Sequence, residues 1–95
     1  MVKVNLEFYV AGGPEMTTAL EKELRQALDE SKVDADYVVI DVLESPEKAM
    51  EKDVYATPTL LRVCPEPVVK VIANAAKMSG AVVLIKMPHE DTVGE

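Results

Sequence analysis

Val2, Val4, Leu6, Phe8 and Val10 recur at every second position, with Lys3, Asn5, Glu7 and Tyr9 between them. Successive side chains of a β-strand point to opposite faces, so this period of two predicts a strand with one face buried. The residues that end the strand narrow the fold further. In Ala11-Gly12-Gly13-Pro14 the glycines admit backbone angles closed to other residues, and a proline suits the first position of a helix. Met16, Leu20, Leu24, Ala27 and Leu28 then follow at helical spacing, with Glu21, Lys22, Glu23 and Arg25 on the remaining surface. That pattern predicts an amphipathic helix from about Pro14 to Ser31. Tyr37-Val38-Val39-Ile40-Asp41-Val42 reads as a second strand, apolar on both faces as a covered parallel strand would be. A strand, a helix and a strand of these lengths make a right-handed parallel crossover.

The second half carries different signals. Ser45 stands as a cap before Pro46, which predicts a short helix to about Asp53. Ala56-Thr57-Pro58-Thr59-Leu60 leads into Leu61-Arg62-Val63, and Cys64-Pro65-Glu66-Pro67 turns the chain into Val68-Val69-Lys70-Val71-Ile72. Two apolar, β-branched runs around a proline-rich turn read as a hairpin. Asn74 can cap a last helix, Ala75 to Met87, ended by Pro88. Gly80 interrupts that helix, and Val82-Val83-Leu84-Ile85 reads equally well as a strand, because a short apolar run satisfies either period. The order βαβαββα is that of a minimal, three-layer thioredoxin-like α/β domain.

With 95 residues the chain is expected to form one domain. A domain this small buries little more than ~60% of its chain surface, so modest stability is expected and self-association would help. A net charge of −7 without a Lys/Arg cluster argues against nucleic acid as a partner. No apolar run approaches the ~20 residues of a membrane span, and the alternating start is unlike a signal peptide. One cysteine, Cys64, allows no internal disulfide, which fits a reducing, cytoplasmic location.

Three stretches together resemble the KaiB family. Phe8-Tyr9-Val10-Ala11-Gly12 is similar to the "YVAG" that ends the family's first strand. Val39-Ile40-Asp41-Val42-Leu43-Glu44-Ser45-Pro46 is similar to "VIDVLxxP". Ala56-Thr57-Pro58-Thr59-Leu60, followed by Val63-Cys64-Pro65-Glu66-Pro67-Val68, is similar to "ATPTL" and a proline cluster. Their order and spacing extend the resemblance over about residues 4–87, making 1–87 the domain and 88–95 an acidic tail expected to be mobile. The resemblance implies a non-catalytic protein-binding module, an adaptor of a KaiC-like ATPase ring in circadian or stress timing. A related thioredoxin-like module serves as the sensor of the histidine kinase SasA, which supplies the alternative function. It also implies a second, tetrameric ground-state fold in which the carboxy-terminal half re-pairs. This chain departs from the family at Ala73-Asn74, where Gly-Asp is common, and at Pro65-Glu66-Pro67, where three prolines are usual. The basic residues of the family's second half are also thinned. Ala73 lacks the positive-φ freedom of glycine, so Ala73, Asn74 and Gly80 form the junction on which any switch would turn. Alanine at the junction is weighed above the poor helix propensity of Gly80, and the thioredoxin-like form is therefore expected to dominate, with Ala75–Met87 helical.

The candidate sites follow from chemistry that is missing. A dithiol oxidoreductase needs Cys-x-x-Cys where the first strand meets the first helix, since the helix terminus lowers the thiolate pKa. Ala11-Gly12-Gly13-Pro14 stands there instead. Thr57-Pro58 occupies the place of the fold's cis-proline, and a cis bond is expected. Cys64 reads as a small buried hydrophobe. His89 has no neighbours at ligand spacing, so no metal or other cofactor is expected. Recognition remains: Gly12, Gly13, Pro14, Ala56, Thr57 and Pro58 at one end of the sheet, or the strand carrying Val38 and Ile40 if it is a sheet edge. Dithiol-dependent reduction of insulin should stay at the buffer rate with this protein. Activity above that rate, abolished by Cys64→Ser, would overturn the non-enzymatic reading.

Overall fold

The computed structural model describes residues 3–73 and 78–86. Seven elements follow one another: β1 (Val4–Val10), α1 (Gly13–Glu30), β2 (Ala35–Asp41), α2 (Pro46–Glu51), β3 (Thr59–Cys64), β4 (Val69–Ile72) and α3 (Met78–Lys86). The strands form one sheet in the order β2-β1-β3-β4. β1 runs parallel to β2 and antiparallel to β3, and β3 and β4 form an antiparallel hairpin. This is the thioredoxin-like order expected from the sequence. Val82–Ile85, open to either reading in the sequence, is helical.

Two apolar clusters hold the layers together. On one face Leu6, Phe8 and Val10 of β1 pack with Leu20, Leu24, Ala27 and Leu28 of α1, Leu60 of β3, and Met78, Ala81, Val82 and Ile85 of α3. On the other, Tyr9, Ile40, Ala49, Val54 and Leu61 form a smaller core under α2. Tyr9 was expected on a polar face of β1, yet it is 1% exposed. The short α2 covers that half of the sheet, and Tyr9 reconciles burial with its hydroxyl by donating a 2.6 Å hydrogen bond to Glu7 Oε1. β2 is an edge strand, with Val38 55% exposed. It is therefore not covered on both sides along its whole length.

Further departures have local causes. Met16 was expected in the core, but it lies in the first turn of α1 beyond the sheet's end and is 51% exposed. Ser45 makes no side-chain cap to α2. Its backbone serves instead: Ser45 N–H donates to Asp41 O, and Ser45 O accepts from Lys48 N–H. Cys64 was expected to be buried and is exposed at the end of β3, beside a register shift in the β1–β3 pairing. Ala73 is buried and its N–H donates to Pro58 O at 2.8 Å. Among non-glycine described residues only Lys32 and Asp53 have positive φ, so alanine fits this fold at 73 without strain. Asn74 to Lys77, Met87, the acidic tail and His89 lie outside the described residues.

Gly80 lies within α3, and a Cβ built there meets nothing within 4 Å. Gly80→Ala should therefore raise stability by ~0.5–1 kcal/mol through the helix alone, read as a higher urea midpoint at an unchanged m-value. The buried Tyr9 hydroxyl gives a second prediction. Burial first, then the hydrogen bond and charge of Glu7, raise its pKa well above the ordinary tyrosine value. An unfolded tyrosine ionises near pH ~10, so the folded form's advantage is complete below that pH and is lost as pH rises above it. The urea midpoint should fall more steeply above pH ~10 in the wild type than in Tyr9→Phe.

Candidate functional site

The carboxyl ends of β1 and β2, the start of β3 and the end of β4 all lie at one end of the sheet. Register decides this: Tyr9 pairs with Ile40 on one side and with Thr59 on the other, and Thr59 pairs with Ile72. Gly12–Pro14 and Ala56–Pro58, distant in sequence, are thereby brought to the same end. Gly12 and Gly13 adopt φ of 132° and 87°, the region that favours glycine, and turn the chain from β1 into α1. Pro14 follows in the first turn of α1. Beside them the Thr57–Pro58 peptide is cis. Thr59 Oγ1 donates to Ala56 O at 2.6 Å, and the Ala73 N–H bond to Pro58 O secures the same loop from β4.

Around this end lie exposed apolar side chains whose exposure the sequence reading missed. Leu43 beyond β2 is 71% exposed, Met16 beyond β1 51%, Tyr55 before β3 85%, and Ile72 at the end of β4 69%. The loop bearing Leu43 is built rather than loose. Leu43 N–H donates to Asp41 Oδ1, and both Glu44 N–H and Ser45 N–H donate to Asp41 O. At the other side Tyr55 Oη donates to Asp53 Oδ1 at 3.0 Å, and Lys70 Nζ donates to Asp53 O at 2.6 Å. The hydrogen bond to Asp53, followed by its charge, raises the Tyr55 pKa. Little in the sequence signals this exposure: Leu43 continues the apolar run that ends in Val42, and Tyr55 stands between Val54 and Ala56.

The other candidates separate. Val38 is exposed on the β2 edge, next to a shallow hollow lined by Asn5, Glu7, Tyr37 and Val63. Ile40, two residues on, is buried beneath α2 in the smaller core, so it packs the fold rather than facing a partner. Gly80 lies in the first turn of α3. Cys64 pairs with Asn5 at the start of β1, the opposite end of the sheet from Gly12–Pro14. The lone thiol is thus at the wrong end of the fold for thioredoxin-type exchange. Among the described residues no group of three or more His, Cys, Asp or Glu could hold a metal ion. No helix among them is long and apolar enough to cross a membrane.

What the arrangement offers is a preshaped, largely apolar surface, and known proteins share its scaffold. The amino-terminal domain of SasA from Synechococcus elongatus superposes with a TM-score of 0.69 at 15% identity, covering 87% of this chain and 79% of that one. Chloroplastic thioredoxin z superposes with a TM-score of 0.60 at 21% identity, over 88% and 79% of the two chains. At such identities the likeness shows the fold alone. Sequence relatives are nearer. The circadian clock oscillator protein KaiB of Nostoc punctiforme is 34% identical over 88 residues, spanning 90% of this chain and 84% of the relative. Its namesake in Prochlorococcus marinus is 32% identical over 90 residues, spanning 94% and 79%. These relatives are named as oscillator proteins and not as enzymes. A family model described as KaiB domain matches residues 7–84, and the chain belongs to the KaiB family.

Proposed function

We propose that this KaiB-family chain is a non-catalytic adaptor that docks on a KaiC-like ATPase ring through the end of its sheet bearing Gly12–Pro14 and Ala56–Pro58. The observation that carries this reading is that Leu43, Met16, Tyr55 and Ile72 are all exposed around that end, Leu43 beside Gly13 and Pro14 and Tyr55 beside Ile72. Large apolar side chains gathered on a surface supported by backbone hydrogen bonds are what a protein interface uses at its centre. The −7 net charge keeps such a surface soluble and would steer it toward a less acidic partner face. Kinase-sensor function is supported less well, because the SasA likeness is at 15% identity while KaiB relatives reach 34%. A cytoplasmic site of action accords with the single cysteine.

The test is co-elution with a nucleotide-loaded KaiC-like ATPase ring. Gly13 is a poor probe, since φ of 87° strains any side chain placed there. Leu43→Glu, Tyr55→Ala and Thr57→Arg change the surface without entering the core. Each should weaken capture at least about tenfold, the ~1.4 kcal/mol or more expected of an interface anchor, while the far-UV circular dichroism stays unchanged. Undiminished capture by all three would move the site elsewhere, first to the Val38 edge of β2.

A further inference from the structure

Met16 puts an oxidisable sulfur on the proposed docking surface. It lies in the first turn of α1 and is 51% exposed. Its side chain packs over Gly12 so closely that a Cβ built on Gly12 would stand 3.1 Å from Met16 Cγ. This is the junction of β1 and α1, where a dithiol oxidoreductase of this fold would carry its thiols. Cys64, the chain's one thiol, lies at the opposite end of the sheet. Two other thioethers are among the described residues. Met78 is 2% exposed in the larger core, and Met50 is 72% exposed on α2.

We propose that Met16 is an oxidation switch on this surface: hydrogen peroxide converts its thioether to the sulfoxide, and the docking end then loses affinity for its partner. The inference rests on the docking function proposed above. The sulfur lone pair attacks one peroxide oxygen, an S–O bond forms as the O–O bond breaks, and the second oxygen leaves as water. Sulfur is oxidised and the peroxide reduced, each by two electrons. The product is polar where the thioether was apolar, and methionine sulfoxide reductase reverses the change. In the free chain the new oxygen costs little, because a half-exposed side chain can turn it to water. Covered by a partner, it becomes a hydrogen-bond acceptor removed from water, which is unfavourable unless a donor meets it. Oxidation at this position therefore weakens binding without weakening the fold. At Met78 the situation is reversed, since the core shields the sulfur and a sulfoxide there would disrupt close packing.

The full chain is treated with hydrogen peroxide, the excess is removed with catalase, and the nucleotide-loaded KaiC-like ATPase ring is added only then. Peptide mass spectrometry should show Met16 oxidising at least about tenfold faster than Met78. Capture by the ring should fall at least about tenfold and return after methionine sulfoxide reductase. While Met78 stays reduced, the urea midpoint should not move. Each variant is compared with its own untreated form. Met16→Leu should capture equally before and after peroxide, whereas Met50→Leu and Cys64→Ser should lose capture as the wild type does. Equal loss in Met16→Leu, or protection by either of the other two variants, would overturn the proposal. So would a Met16 that oxidises no faster than Met78, a result that needs no ring. Capture that survives complete oxidation of Met16 but fails in Leu43→Glu would remove the switch and leave the docking reading standing. No capture by the untreated chain would remove both.

Discussion

β1 is paired on both sides and covered on both faces, and every other element takes its position from it. Phe8, Tyr9 and Val10 are at most 1% exposed, although they are consecutive and point alternately to opposite layers. Phe8 and Val10 face α1 and α3, while Tyr9 faces α2. A strand in this position must be apolar on one face and amphipathic on the other. The sequence Leu6-Glu7-Phe8-Tyr9-Val10 meets that need with Glu7 accepting the Tyr9 hydroxyl. Because β2 pairs parallel with β1 and β3 pairs antiparallel, the end of β1 fixes where three loops converge.

That convergence connects the fold to its use. Thioredoxin-like domains gather the β1–α1 turn and the loop before β3 at one end of the sheet, and here both are kept without the thiols. Gly12 and Gly13 occupy the approach to α1, with Leu43, Met16, Tyr55 and Ile72 exposed around that end, and Cys64 lies at the far end. The interface proposed for this end keeps that geometry and dispenses with the thiol chemistry. The Asp41 and Pro58 backbone acceptors hold these loops in place, and loops ordered in advance would lose less entropy in any association.

The two halves of the chain are stabilised differently. β1, α1 and β2 combine two seven-residue strands with an 18-residue helix. The carboxy-terminal part relies on a four-residue strand, a nine-residue helix and one buried guanidinium. Ala73, bonded through its N–H to Pro58 O and buried, ties this part to the same loop that borders the proposed interface.

Much of this was legible in the sequence, because period and punctuation act locally. The alternation of Val4 to Val10, the Gly12-Gly13-Pro14 turn, the Leu20–Leu28 stripe and the proline-rich hairpin specify their elements through φ/ψ preference and the matching of one apolar face to one core. The motifs around Val10, Asp41 and Pro58 also placed the chain in its family. Other features required partners that no local window contains. Whether Val82–Ile85 is helix or strand depends on the space beneath α1 and on Arg62 reaching Ile85 O. Tyr9 is buried because α2 happens to cover it, Met16 is exposed because the sheet ends before it does, and Val38 and Ile40 part company because α2 covers only one of them. The exposed apolar side chains at the sheet's end come together only once register has aligned the ends of separate elements. Local preferences therefore determined the elements and their order, while burial, edge position and surface composition were decided by long-range packing, which a single sequence encodes only through contacts between residues far apart along it.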